Sequence, residues 1–358
     1  MADAYFDTYM GRGPRRVPHM EHWSCPDAET YLTGIDYYDH PRLCRQRLHE
    51  LYPQLGVGIP ASDEPKVRPE DQPDKSHGRW GDAYRDHWQQ EEASRRFKNL
   101  DEMRRFSPLE QGDFTDWHVV EDGDFSSEEI IYERYRKNYP AEWGDKAPEG
   151  STAGVGFYNT MFMWPMLVFG YENFLQLCLE PEFARIMDEF AEINRRVFRA
   201  FARLPVNFVT CHDDIVLTSG PVCSPAWMRK YIFPRYEEYW GILKDAGKEV
   251  VFMVDGCVDA FADDVMACGA RGFITEPYTD FKAIAQRYDN PVLAGEGDNR
   301  VLMRNRPDEI RQMVERMVET AKMSAGYFMC IGNHIPFNVP PEAIKLYLEL
   351  SAELAYRS

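Results

Sequence analysis

The run from VNFVTCHDD (206–214) through EVVFMVDG (249–256), RGFITE (271–276) and PVLAGEGD (291–298) to GYFMCIGNH (326–334) decides the fold. It holds five short apolar segments, and a helix-forming stretch follows each. SPAWMRKYIFPRYEEYWGILKDAG (224–247) has Ser224 as an N-cap and Gly247 as a stop. A short helix is expected over 258–268, then DFKAIAQRY (280–288), a helix over about 307–323, and PPEAIKLYLELSAELA (340–355). The apolar segments lack polar alternation, which implies burial on both faces, as in a parallel sheet. Upstream, GVGFYN (154–159) reads as another strand, and 171–204 has helical apolar spacing divided at Pro181.

An open doubly wound sheet and a closed barrel both fit this alternation. Polar residues recur at successive strand ends: Asp213-Asp214, Asp255, Glu276, Glu296 with Asp298, and His334. A barrel would gather those ends at one mouth, whereas an open sheet would spread them in a row. The expected fold is therefore α/β, a TIM-type (β/α)8 barrel with an irregular N-terminal extension or lid. A single domain is expected over 1–358, with regular strand–helix units in 151–358 and an N-terminal segment over 1–150. The Pro-, Gly- and charge-rich stretch GVGIPASDEPKVRPEDQPDKSHGRWG (56–81) reads as a surface insertion in that segment.

Composition narrows the function. Lys and Arg number 41 against 59 Asp and Glu, a formal charge of −18, which disfavours nucleic acid and anionic membranes as partners. No uninterrupted apolar run is long enough to span a bilayer, and MADAYFDTYMGRGPRR (1–16) has no apolar signal core. The eight cysteines form no CxxC pair, so reduced thiols in a cytoplasmic protein are expected. No P-loop, GxGxxG or GxSxG is present, which lowers nucleotide-dependent and serine-hydrolase readings.

The chemistry-bearing candidates are Asp214, Asp255, Glu276 and His334 as catalytic groups. Crowded carboxylates raise one another's pKa unless a proton, a metal or a cationic ligand joins them. Each acid has an alternative use as a helix cap, as Asp280 has before FKAIAQ, and a lone His is often a structural hydrogen-bonding group. Glu276, Glu296 and His334 would suit Zn²⁺ and leave one position open, with Cys257 at the start of a helix as a further ligand candidate. Cys257 reads equally as a small packed residue. Trp23, Tyr158, Phe162 and Trp164 could line a flat organic pocket or belong to the core.

The segments 220–277 and 280–303 and the stretch GNHIPFNVPPEAI (332–344) resemble the uroporphyrinogen decarboxylase superfamily, with landmarks in the same order. RVPHMEHWSCPDAETYLTGID (16–36) looks like that family's opening segment. The resemblance implies a TIM-type barrel and two candidate activities. Decarboxylases of the family carry an early arginine-rich motif for a polyacidic tetrapyrrole, and the matching segment here, Pro18 to Trp23, has no arginine. The corrinoid-linked methyltransferases form the other branch. Thiol-directed members bind zinc through a His-x-Cys pair where this chain reads Met253-Val254-Asp255, and a later Cys where it has Asn333. That ligand set is absent here.

The better match is to relatives acting on methyl ethers, for which the resemblance implies zinc held by Glu276, Glu296 and His334. The expected activity is methyl transfer from a small O-methyl donor, such as a methoxylated aromatic, to the cobalt of a corrinoid. No cobalamin-binding module is visible in the sequence, so the corrinoid would arrive on a separate protein. A homodimer is compatible with this reading. The alternatives are a decarboxylase or lyase acting on another acid, and a non-catalytic small-molecule-binding barrel.

Overall fold

A computed structural model describes residues 2–23, 25–68 and 96–357. Of the segment 56–81 expected to form a surface insertion, residues 69–81 lie outside the described residues. The chain divides into two compact units: Tyr84–Val254 with Val258–Gly272, and Met1–Ala83 with Asp255–Cys257 and Phe273–Ser358.

In the first of these units, strands Gly154–Phe157, Phe208–His212 and Glu249–Met253 pair in parallel in that order. Gly154 faces Phe208, and His212 faces Met253. Arg271 donates its N–H to the Val250 carbonyl at 2.7 Å and starts the next segment. Val209, Cys211, Val250, Val251 and Phe252 are wholly buried, as continuous apolar runs in a two-sided parallel sheet require.

The helix Phe183–Arg203 lays Phe183, Ile186, Phe190, Ile193, Val197 and Phe201 along one buried stripe at three- and four-residue spacing. Pro181 separates it from Tyr171–Leu177, as its missing N–H and fixed φ dictate. Ser224 caps its helix by accepting the Trp227 N–H at 3.3 Å. The single helix expected over 224–247 is in fact two, Pro225–Tyr231 and Phe233–Asp245. Pro234 has no N–H for the preceding turn, and its ring crowds the carbonyl four residues back.

The other unit carries a second parallel series. Thr275 donates to the Ala294 carbonyl at 3.0 Å, Leu293 bridges Tyr327, Gly297 bridges Ile331, and His19 bridges Met329. His19–Met20 pairs in turn with Leu55–Gly56. Among the described residues there are five strand positions in this unit and three in the other, and the fold class of the chain is α/β, of the (β/α)8-barrel type. The helices Pro307–Met323 and Pro341–Leu354 pack on each other in this unit. No helix among the described residues is long and apolar enough to cross a membrane.

Candidate active site

The strand Phe208–His212 ends where two successive acids turn opposite ways. Asp213 points inward and is fully buried. It accepts the backbone N–H groups of Met161, Phe162 and Met163 at 2.9, 2.7 and 2.7 Å, and the Tyr236 hydroxyl at 2.6 Å. These donors sit at the start of the helix Met163–Phe169, whose N-terminus favours a carboxylate. Asp213 thus fixes the loop that carries Tyr158. Its role is architectural, and sequence reasoning had grouped it with the mouth.

His212 and Asp214, two residues apart, share the opposite face, as the two-residue period of extended chain requires. His212 Nε2 lies 2.9 Å from Asp214 Oδ1, and both side chains are nearly buried. The Tyr158 ring packs 4.5 Å from the His212 imidazole, centroid to centroid, at 59°. Sequence reasoning singled out Asp214 and Tyr158 and passed over His212. The signal was there in the H-x-D spacing at a strand end.

Asp255 follows Met253, the residue paired with His212, by two positions. Within the Tyr84–Val254 unit, His212 and Asp214 are buried metal-ligating side chains in direct contact at a strand end. An imidazole nitrogen and a carboxylate oxygen are donors that Zn²⁺ accepts at about 2.0–2.2 Å.

Around Asp255 the hydrogen bonds have a direction. Asn333 Nδ2 donates to Asp255 Oδ2 at 3.1 Å. Asn333 Oδ1 can only accept, so the 2.7 Å contact to His334 is a donation from His334 Nδ1. That leaves Nε2 of a neutral His334 as the nitrogen with a lone pair. Burial, and then the nearby His22, hold the His334 pKa below the usual imidazole value, which favours the neutral form. Asn299 Nδ2 donates to the Gly332 and His334 carbonyls at 3.2 and 2.8 Å and steadies the turn.

The other expected ligands have surroundings of their own. Glu296 is buried, with Oε2 accepting from the Tyr327 hydroxyl at 2.8 Å and Oε1 from Arg316 Nε at 3.2 Å. Burial pushes its pKa up, while Tyr327, Thr320 and Arg316 pull it back. With both oxygens engaged, Glu296 does not join Glu276 and His334 in a ligand group within 4.8 Å. Glu276 is half-buried beyond the strand Gly272–Ile274, and its backbone carbonyl accepts from Thr279 N at 3.1 Å. Cys257 is half-buried and lies ahead of the 3-10 turn Asp259–Phe261 rather than within a helix.

Of the aromatic candidates, Trp164 is wholly buried among Phe114, Phe125, Phe157 and Phe190, with the Phe125 ring 4.8 Å away. Phe162 is wholly buried against Phe174 and Trp227. Both are core residues because the aromatic-rich helix faces pack on this loop. Trp23 is half-buried, and its Nε1 donates to the Cys25 carbonyl at 3.1 Å.

The uroporphyrinogen decarboxylase (URO-D) family model matches residues 146–354, more than half of the chain. The chain belongs to that family. This URO-D family member also aligns with a methyltransferase from Methanosarcina mazei over 98% of its own length and 97% of that chain. The two are 14% identical at a TM-score of 0.57, a likeness of fold. No curated protein matches the chain.

Within the URO-D frame, the opening segment is informative. His19 Nε2 and Glu21 Oε1 are 2.7 Å apart with both side chains wholly buried. Tyr347 donates to Glu21 at 2.8 Å, and Ser351 Oγ lies 2.9 Å from His19 Nδ1. The segment Pro18 to Trp23 is thus occupied by an internal acid–imidazole pair and presents no guanidinium to a substrate.

Proposed function

We propose that this URO-D family member is a methyltransferase. It takes the methyl group of a small O-methyl compound, with methoxylated aromatics as the leading class, and passes it to the cobalt of a corrinoid carried by a separate protein. The observation that carries this reading is the buried His212–Asp214 pair at a strand end, with the Tyr158 ring packed on the imidazole. Breaking a methyl–oxygen bond leaves charge on oxygen, and a cation or a proton donor there lowers the barrier. Bound zinc would supply Lewis-acid stabilisation of that oxygen. The chain's own residues do the rest: Asp214 orients the His212 imidazole, Tyr158 packs on its face, and Asn333 links Asp255 to His334.

Decarboxylation of a polyacidic tetrapyrrole is the second reading and fares worse. A substrate with many carboxylates would meet acids at the strand ends, and the opening segment supplies no arginine to offset them.

The test is a screen of methoxylated aromatics with a reduced corrinoid protein, followed by the optical change at cobalt. Methyl transfer is expected with at least one donor, and His212→Ala or Asp255→Ala should lower the rate about 100-fold or more. Transfer at the wild-type rate in both variants, or release of CO2 from a carboxylated substrate without methyl transfer, would remove the proposal.

A further inference from the structure

A second cavity, of about 650 Å³, opens in the Tyr84–Val254 unit at the other end of its strands. Asn207 and Lys248 both line it and immediately precede the strands Phe208–His212 and Glu249–Met253. His212 and Asp214 lie past the opposite ends. In barrels of this kind chemistry belongs to the C-terminal strand ends, so a ligand here would act at a distance from it.

The charge of this cavity runs against that of the molecule. Lys146, Arg203 and Lys248 line it with one acid, Asp145, in a chain whose formal charge is −18. Lys248 is 6% exposed, and its ammonium donates to the carbonyls of Leu204 and Val206 at 2.7 and 3.0 Å. Both acceptors are neutral, so they satisfy protons without cancelling charge. Burial accordingly depresses the Lys248 pKa to about 8. Arg203 is held flat, its guanidinium 4.0 Å over the Tyr132 ring. Glu128 and Glu129 engage its Nη1 at 3.2 and 2.9 Å, so its charge is already met by two carboxylates and its contribution to the cavity is as an N–H donor. A volume of this size is ordinary for a small-molecule site.

We propose that this cavity binds a small phosphate-bearing anion, whose charge is received by Lys248 and Lys146, with Arg203 as a further N–H donor. The buried ammonium supplies a fixed point charge, and the guanidinium a planar donor already oriented by the ring beneath it.

The experiment is isothermal titration of the full chain with inorganic pyrophosphate at fixed ionic strength, beside Lys248→Met, Arg203→Gln and Lys146→Gln variants. Saturable binding is expected in the parent, weakened about tenfold by Lys248→Met or Arg203→Gln, since charge-assisted contacts are lost. Lys146→Gln, at an exposed position, should weaken it about threefold. If Lys248→Met fails to fold, the other two variants decide. No saturable binding in the parent, or equal affinity in the parent and every folded variant, overturns the proposal. In that case Lys248 is a cap on the carbonyls of Leu204 and Val206 and nothing more.

Discussion

Asn333 donates its side-chain amide to Asp255 across 3.1 Å. These are the two positions at which the thiol-directed relatives described above would place zinc-binding cysteines. Here an amide and a carboxylate meet instead, so the positions still face each other while the chemistry they offer has changed. Asn333 also has φ +61°, a left-handed conformation that asparagine tolerates and most side chains do not. Asn333→Ala should lose the bonds to Asp255 and from His334 as well as the conformational tolerance, and cost about 2–3 kcal/mol. Asn333→Gly should lose the two bonds alone and cost about 1 kcal/mol less. Urea denaturation of the pair measures this, and equal stability in the two variants would exclude the backbone contribution.

Metal content separates two assignments of zinc ligands. Glu296→Gln should leave zinc stoichiometry unchanged, because its oxygens serve Tyr327 and Arg316. It should lower stability by about 1–2 kcal/mol through the weakened contact to the buried Tyr327 hydroxyl. His212→Ala and Asp214→Asn should reduce bound zinc in protein dialysed against the metal. Loss of zinc on Glu296→Gln with retention in the His212 variant would restore the set Glu276, Glu296 and His334.

Asp213 and Asp214 are neighbours with separate consequences. Asp213→Ala leaves three backbone donors and the Tyr236 hydroxyl buried without their acceptor, a destabilisation of about 3–5 kcal/mol. Asp214→Asn should fall within about 1 kcal/mol of the parent while impairing the site. Thermal unfolding beside a methyl-transfer assay would show the two variants failing on different axes.

The Glu29–Arg45 pair gives a pH signature. Burial raises Glu29 from its ordinary value of 4.5 to about 6, against the pull of Arg45. A raised folded-state pKa means the native state binds the extra proton between those values. Its stabilising contribution is therefore present below pH 4.5 and lost as pH climbs through about 6. Glu29→Gln should flatten the stability profile by about 2 kcal/mol across that window in urea titrations. An unchanged profile would place the raised pKa elsewhere.

Periodicity made most of the fold legible. Five apolar segments with helices between them announced parallel strands, and Ser224, Pro181 and Asp280 marked caps and a break where the chain has them. The helix break at Pro234 follows from the same missing N–H as the break at Pro181, and the reading of 224–247 as one helix did not use it. The site was legible only as a set of strand ends. One-dimensional spacing gives the residue at a strand end and leaves open which side of the sheet its carboxylate takes. Glu296 and Asp213 have the same flag in sequence as Asp214 and Asp255, yet Tyr327 and Tyr236 claim them inside the fold. His212 was overlooked because an imidazole inside an apolar strand reads as packing until its partner two residues on is considered.

The buried His19–Glu21 pair is closed by Tyr347 and Ser351, more than three hundred positions later. During translation, His19 and Glu21 lack these two partners until the helix Pro341–Leu354 has emerged. A nascent chain halted before Tyr347 therefore carries two polar groups that water, or a chaperone, must keep company.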